Sequence, residues 1–205
     1  MDGYCLPVKT LLGDEEFLIH ADFRDILEIF SYLEDPSLPE MIRWRIAVAL
    51  FYDREVPNEK LQQAMEYLAF FIAGGEKETG GSVRKLLDWE QDSGMIIAEV
   101  NRVCHQEVRA LPFLHWWTFL GWFHTIGQGQ LSTVVALRDK LQRGKKLEGW
   151  EKDFYRENKG KVDLKKRYTP EELEQKLALE ALLTGKGCEV KNGKCWKQST
   201  NRPGT

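Results

Sequence analysis

The side chains whose types and spacing could do chemistry are His115 and His124, Cys104 and His105, Cys188 and Cys195, and the acidic run Asp88, Glu90, Asp92 and Glu99. Two histidines serve one metal only if they converge. His115 and His124 are nine positions apart, which at about 100° per residue puts them on opposite sides of a helix. Cys104 and His105 are the types that a thiol nucleophile and its base require, but adjacent helical residues point apart and no acid is placed to orient the imidazole. Cys188 and Cys195 flank Asn192-Gly193, a dipeptide that favours a two-residue hairpin and would bring the thiols near each other. Two sulfurs do not complete a tetrahedral metal site. The glycine-rich stretch GGEKETGGS, residues 74 to 82, lacks the lysine placement of a phosphate-binding loop.

Asp88, Glu90, Asp92 and Glu99 occupy positions 1, 3, 5 and 12 of a twelve-residue calcium loop. Position 6, where the sharp turn requires glycine, is Ser93, and Gly94 arrives one residue late. The competing reading is a helix start in which Asp88 caps, Gln91 is the box partner, and Ile96, Val100, Val103 and Cys104 form the apolar stripe. No catalytic residue, cofactor or metal is expected from these patterns, and therefore no enzyme.

The segment LHWWTFLGWFHTIGQG, residues 114 to 129, crowds Trp116, Trp117, Phe119, Trp122 and Phe123 together with two histidines. A substrate cage, a membrane anchor, a docking ridge and a crowded core would each use such rings. The apolar run from Leu111 to Ile126 falls short of the ~20 residues that span a bilayer, and Pro112, His115 and His124 interrupt it. In a helix starting near Pro112, apolar residues cover nearly every side, which is the pattern of a helix surrounded by its neighbours. Thr118, Gly121 and Thr125 form a shallow face that a second helix could approach. The core reading is favoured, with buried indole and imidazole groups requiring hydrogen-bond partners.

These elements sit in a chain of 205 residues, 42% hydrophobic and 30% charged, enough for one substantial core. Its start, MDGYCLPVKT, has no basic region leading into an apolar run, so no secretory signal is expected. Four scattered cysteines fit free thiols in a reducing compartment. Residues 1 to 137 carry 21 acidic against 11 basic side chains, whereas 138 to 167 carry 12 basic against 6 acidic. That asymmetry can steer acidic partners to the second segment, and it is also the ordinary look of solvated helices.

Gly13-Asp14 between two extended runs predicts an N-terminal β-hairpin. Asp22 then caps a helix with Phe23, Ile26, Leu27, Phe30 and Leu33 on one stripe. Ser37 is placed to start a second helix, apolar on most sides except at Arg43 and Arg45. Leu61, Met65, Leu68 and Ile72 predict a third. Ser132 and Gly144 bracket a shorter helix beyond Gln130, and Trp150, Phe154 and Tyr155 mark a charged one. Thr169, Pro170 and Glu172 combine a capping box with proline at the first helical position, opening a lightly apolar last helix. The predicted fold is all-α: a single helical bundle over 22–167 with a β-hairpin over 1–21 and a capped helix with a flexible tail over 168–205. Candidate partner-binding residues are Trp122, Trp150, Phe154, Tyr155, Arg156, Lys165, Lys166 and Arg167.

The order LPVKTLLGDEEFLIHADFRDIL, LLDWEQD, LHWWTF, VVALRDKL and FYRENKGKVDL resembles a family of bacteriophage proteins encoded in siphophage tail modules just before the tape measure gene. The similarity spans about residues 6 to 167, with LHWWTF and ADFR its most distinctive parts. Proteins at that gene position resemble tail assembly chaperones. The resemblance implies a non-enzymatic factor in the host cytoplasm that coats the long helices of the tape measure protein, helps recruit tail tube subunits and is absent from the mature virion. Self-association is left open, and no membrane partner is expected. Helix-in-groove binding with many weak repeated contacts is the physical form such a role would take, the basic segment engaging acidic partners. The alternative is a structural virion protein of the tail or connector; nucleic-acid binding through 138–167 is disfavoured by the acidic remainder.

Overall fold

Gly13 takes a φ of 65° at the first of two turn residues, a conformation glycine enters without strain, and the chain folds back there into an antiparallel hairpin. The computed structural model describes residues 5–76, 84–184, 190–191 and 194–195. Strands β1 (Lys9–Leu12) and β2 (Glu15–Leu18) pair with Lys9 opposite Leu18 and Leu12 opposite Glu15. Period-two alternation sends Leu12 and Phe17 into the core and leaves Leu11 and Leu18 outside. The hairpin is thus part of the helical body rather than an appendage.

Helix α1 (Phe23–Leu33) starts where the Asp22 carboxylate accepts the Arg24 amide, as the sequence predicts. Phe23, Ile26 and Ile29 are its buried residues, with Leu27, Phe30 and Leu33 packed beside them. Helix α2 (Glu40–Phe51) begins after Pro39, not at Ser37. Proline disfavours helical geometry at the preceding residue, Leu38, and Pro39 takes the N-cap position, so the helix starts there and not at Ser37. Helix α3 (Leu61–Ile72) follows a 3-10 turn at Asn58–Lys60 and buries Ala64, Leu68 and Phe71, to one side of the stripe predicted from steps of four. Helices α4 (Ser93–Cys104), α5 (Trp116–His124), α6 (Gln130–Gln142) and α7 (Trp150–Val162) complete this unit, which ends at Lys166.

Two buried clusters hold it. The larger gathers the hairpin and α1 to α5, around Phe17, Phe23, Phe51, Phe71, Trp116 and Phe119. The smaller joins α6 to α7 through Val134, Leu137, Leu147 and Val162, with Phe154 and Tyr155 against it.

From Arg167 the chain forms a second unit. Helix α8 (Pro170–Thr184) has the predicted capping box: the Glu172 amide donates to Thr169 Oγ1 at 3.2 Å and the Thr169 amide to Glu172 Oε2 at 3.1 Å. Leu173, Leu177 and Leu179 are exposed. Strands β3 (Val190–Lys191) and β4 (Lys194–Cys195) pair antiparallel, while Cys188 and the Asn192-Gly193 turn lie outside the described residues. No helix among the described residues is long and apolar enough to cross a membrane.

Candidate functional site

The aromatic segment enters α5 later than its composition predicts. Leu114 and His115 stay outside the helix because they pair with the entry to α1: the Phe23 amide donates to the Leu114 carbonyl at 2.9 Å, and the Trp116 amide to the Ala21 carbonyl at 2.7 Å. Asp22 ties both ends, taking the Leu114 amide on Oδ2 at 2.9 Å, while Arg24 donates to the Leu111 and Pro112 carbonyls. Burial alone would raise the Asp22 carboxyl. The Arg24 guanidinium and the Arg24 and Leu114 amides outweigh that and hold it below its ordinary value. Phe23 then stacks on Phe119 at 4.7 Å between ring centres.

The tryptophan pair has a specific structural use. Trp116 Nε1 donates to the Ile72 carbonyl at 3.0 Å and Trp117 Nε1 to the Phe71 carbonyl at 2.9 Å. Both acceptors belong to the last turn of α3, whose carbonyls have no partner inside their own helix. Gly74 and Gly75, at φ of 74° and 86°, return their amides to Phe71 and Phe70. Trp116 is fully buried, Trp117, Trp122 and Phe123 are half-buried, and Phe113 is exposed. The face at Thr118, Gly121 and Thr125 is not a helix contact: Gly121 and Thr125 are exposed, and nothing lies within 4 Å of a Cβ built on Gly121.

His115 caps α5 rather than ligating a metal. Its Nδ1 accepts the Trp117 amide at 3.1 Å and its Nε2 lies 2.9 Å from the Pro7 carbonyl, which identifies the neutral Nε2–H tautomer. Burial holds its pKa below the ordinary 6.5, the Pro7 contact opposing this in part. A depressed folded value means the stabilisation is complete above about pH 6.5 and is lost as the pH falls through the lowered value. Melting temperatures between pH 7.5 and 5 should therefore fall more steeply for the native chain than for His115→Gln. Parallel profiles would contradict the assignment.

The acidic run is also structural. Asp92 is fully buried in a bidentate pair with Arg138, at 2.6 and 2.8 Å, and Arg138 donates further to the carbonyls of Leu86, Lys161 and Val162. Asp88 caps the single turn before α4 by accepting the Glu90 and Gln91 amides. Gln91 does not close a capping box; its amide reaches Asp163 at 2.8 Å and its carbonyl accepts the Lys165 amide at 2.8 Å, securing the end of α7. Among the described residues no group of three or more His, Cys, Asp or Glu could hold a metal ion.

What faces outward among the sequence candidates is on α7. Glu151 and Asp153 in its first turn and Lys159 and Lys161 in its last complement the helix dipole. Trp150 is 64% exposed and meets Phe154 edge-on at 6.4 Å. Phe154 and Tyr155 are half-buried on the α6 side, where the Tyr155 hydroxyl donates to Asp163. Lys152 and Arg156 are exposed at i and i+4, with Arg156 paired to Asp153, and Lys159 is exposed beyond a break in helical geometry at Asn158 (φ −115°, ψ 24°). Lys165 and Lys166 follow, also exposed. Trp122 packs against the larger core cluster, and Arg167 begins the second unit.

Sequence reasoning missed a second outward surface, on α2. Met41 and Ile42 are exposed at its start. The signal was present in the sequence, because a helix apolar on most sides must be covered all round or leave an apolar face open.

A family model described as bacteriophage Gp15 protein matches residues 6–164 of the chain. No match was found among curated proteins or among solved structures.

Proposed function

The chain belongs to the bacteriophage Gp15 protein family, and we propose that it acts as a non-catalytic tail assembly chaperone, binding the tape measure protein and helping recruit tail tube subunits in the host cytoplasm. The observation that carries this reading is the outward surface of α7, where Trp150 is 64% exposed at the helix start and Lys152 and Arg156 are exposed on another side. An exposed aromatic ring and exposed cations are each features of a surface for acidic protein partners. The motif residues of the chain support it from the other side, since Asp22, Arg24, Trp116, Trp117, Asp92 and Arg138 all have structural partners that account for them.

Coexpression with the tape measure protein of the same phage tests this. The two proteins are expected to co-purify, with more of the client in the soluble fraction. Mass spectrometry of purified virions is expected to find the chain absent. Failure to co-purify together with stoichiometric presence in virions would replace the chaperone by a structural tail or connector component.

A further inference from the structure

We draw no further inference here: the strongest candidate, the outer face of the N-terminal hairpin, where Leu11 and Leu18 are exposed beside the Lys9–Glu16 ion pair, carries nothing because nothing in the structure shows what covers it.

Discussion

Arg138→Met is expected to lower the melting temperature by roughly 6 to 20 °C, the largest effect of any single charge in the chain. Asp92 and Arg138 have side chains 0% and 2% exposed, so removing one leaves its partner charged and dry. Breaking such a buried pair costs about 3 to 5 kcal/mol, and about 1 kcal/mol moves a domain of this size by 2 to 4 °C. Arg138 also supplies the donors for three carbonyls from the segment before α4 and the end of α7, so the loss should loosen both. The Asp92→Leu/Arg138→Met double variant should be less destabilised than the sum of the single changes, because it removes both charges, yet not native-like, because the carbonyls still lack a donor. Arg156→Met, which breaks an exposed pair with Asp153 on α7, should shift stability by under about 1 kcal/mol. A melting temperature for Arg138→Met within 2 °C of native would contradict the role assigned to the pair.

Trp116→Ala is expected to cost about 3 to 5 kcal/mol, as for other large buried rings cut back to alanine. Trp116 contacts Phe30, Trp89 and Phe119, so its removal opens a void shared by α1, α5 and the segment before α4. The more selective comparison is with phenylalanine. Trp116→Phe keeps most of the ring but leaves the Ile72 carbonyl without the indole donor, for about 1 to 3 kcal/mol. Trp117→Phe should cost less, since Trp117 is half-buried and the Phe71 carbonyl keeps the Gly74 amide. Equal losses for the two phenylalanine variants, measured by urea unfolding, would mean that the pair fills space without terminating α3.

Much of this was legible before any coordinates. The Gly13-Asp14 hairpin, the Asp22 cap, the Thr169–Glu172 box and the Gly144 stop are local: each depends on a few neighbouring residues whose backbone preferences agree. So was the interior placement of Trp116 and Phe119, which follows from helical spacing. What could not be read were pairings between distant segments. Nothing within LLDWEQD indicates that Asp92 meets Arg138, or that Gln91 reaches α7 instead of closing its own helix. The delayed start of α5 has the same origin, because Leu114 and His115 are extended only through bonds to residues around Asp22. Of the partner candidates, Trp150 is exposed, whereas Trp122 packs against the larger core. The exposed Met41 and Ile42 of α2 could not be told from its buried residues, because a helix apolar on most sides does not say which side is covered.

The distinctive motifs thereby acquire a physical meaning. ADFR and LHWWTF form one joint, through Asp22, Arg24, Phe23 and Phe119; LLDWEQD, VVALRDKL and FYRENKGKVDL form the other, through Asp92, Arg138, Gln91 and the carbonyls closing α7. The residues that make the pattern recognisable hold the body together.

Hydrogen exchange across residues 111 to 124, on the chain alone and with the tape measure protein, tests that role most directly. Slow exchange of this segment in both states, with protection gained elsewhere on binding, is the predicted result. Fast exchange in the free chain that becomes slow only in the complex would make the aromatic segment itself the binding element, and would contradict its place in the core.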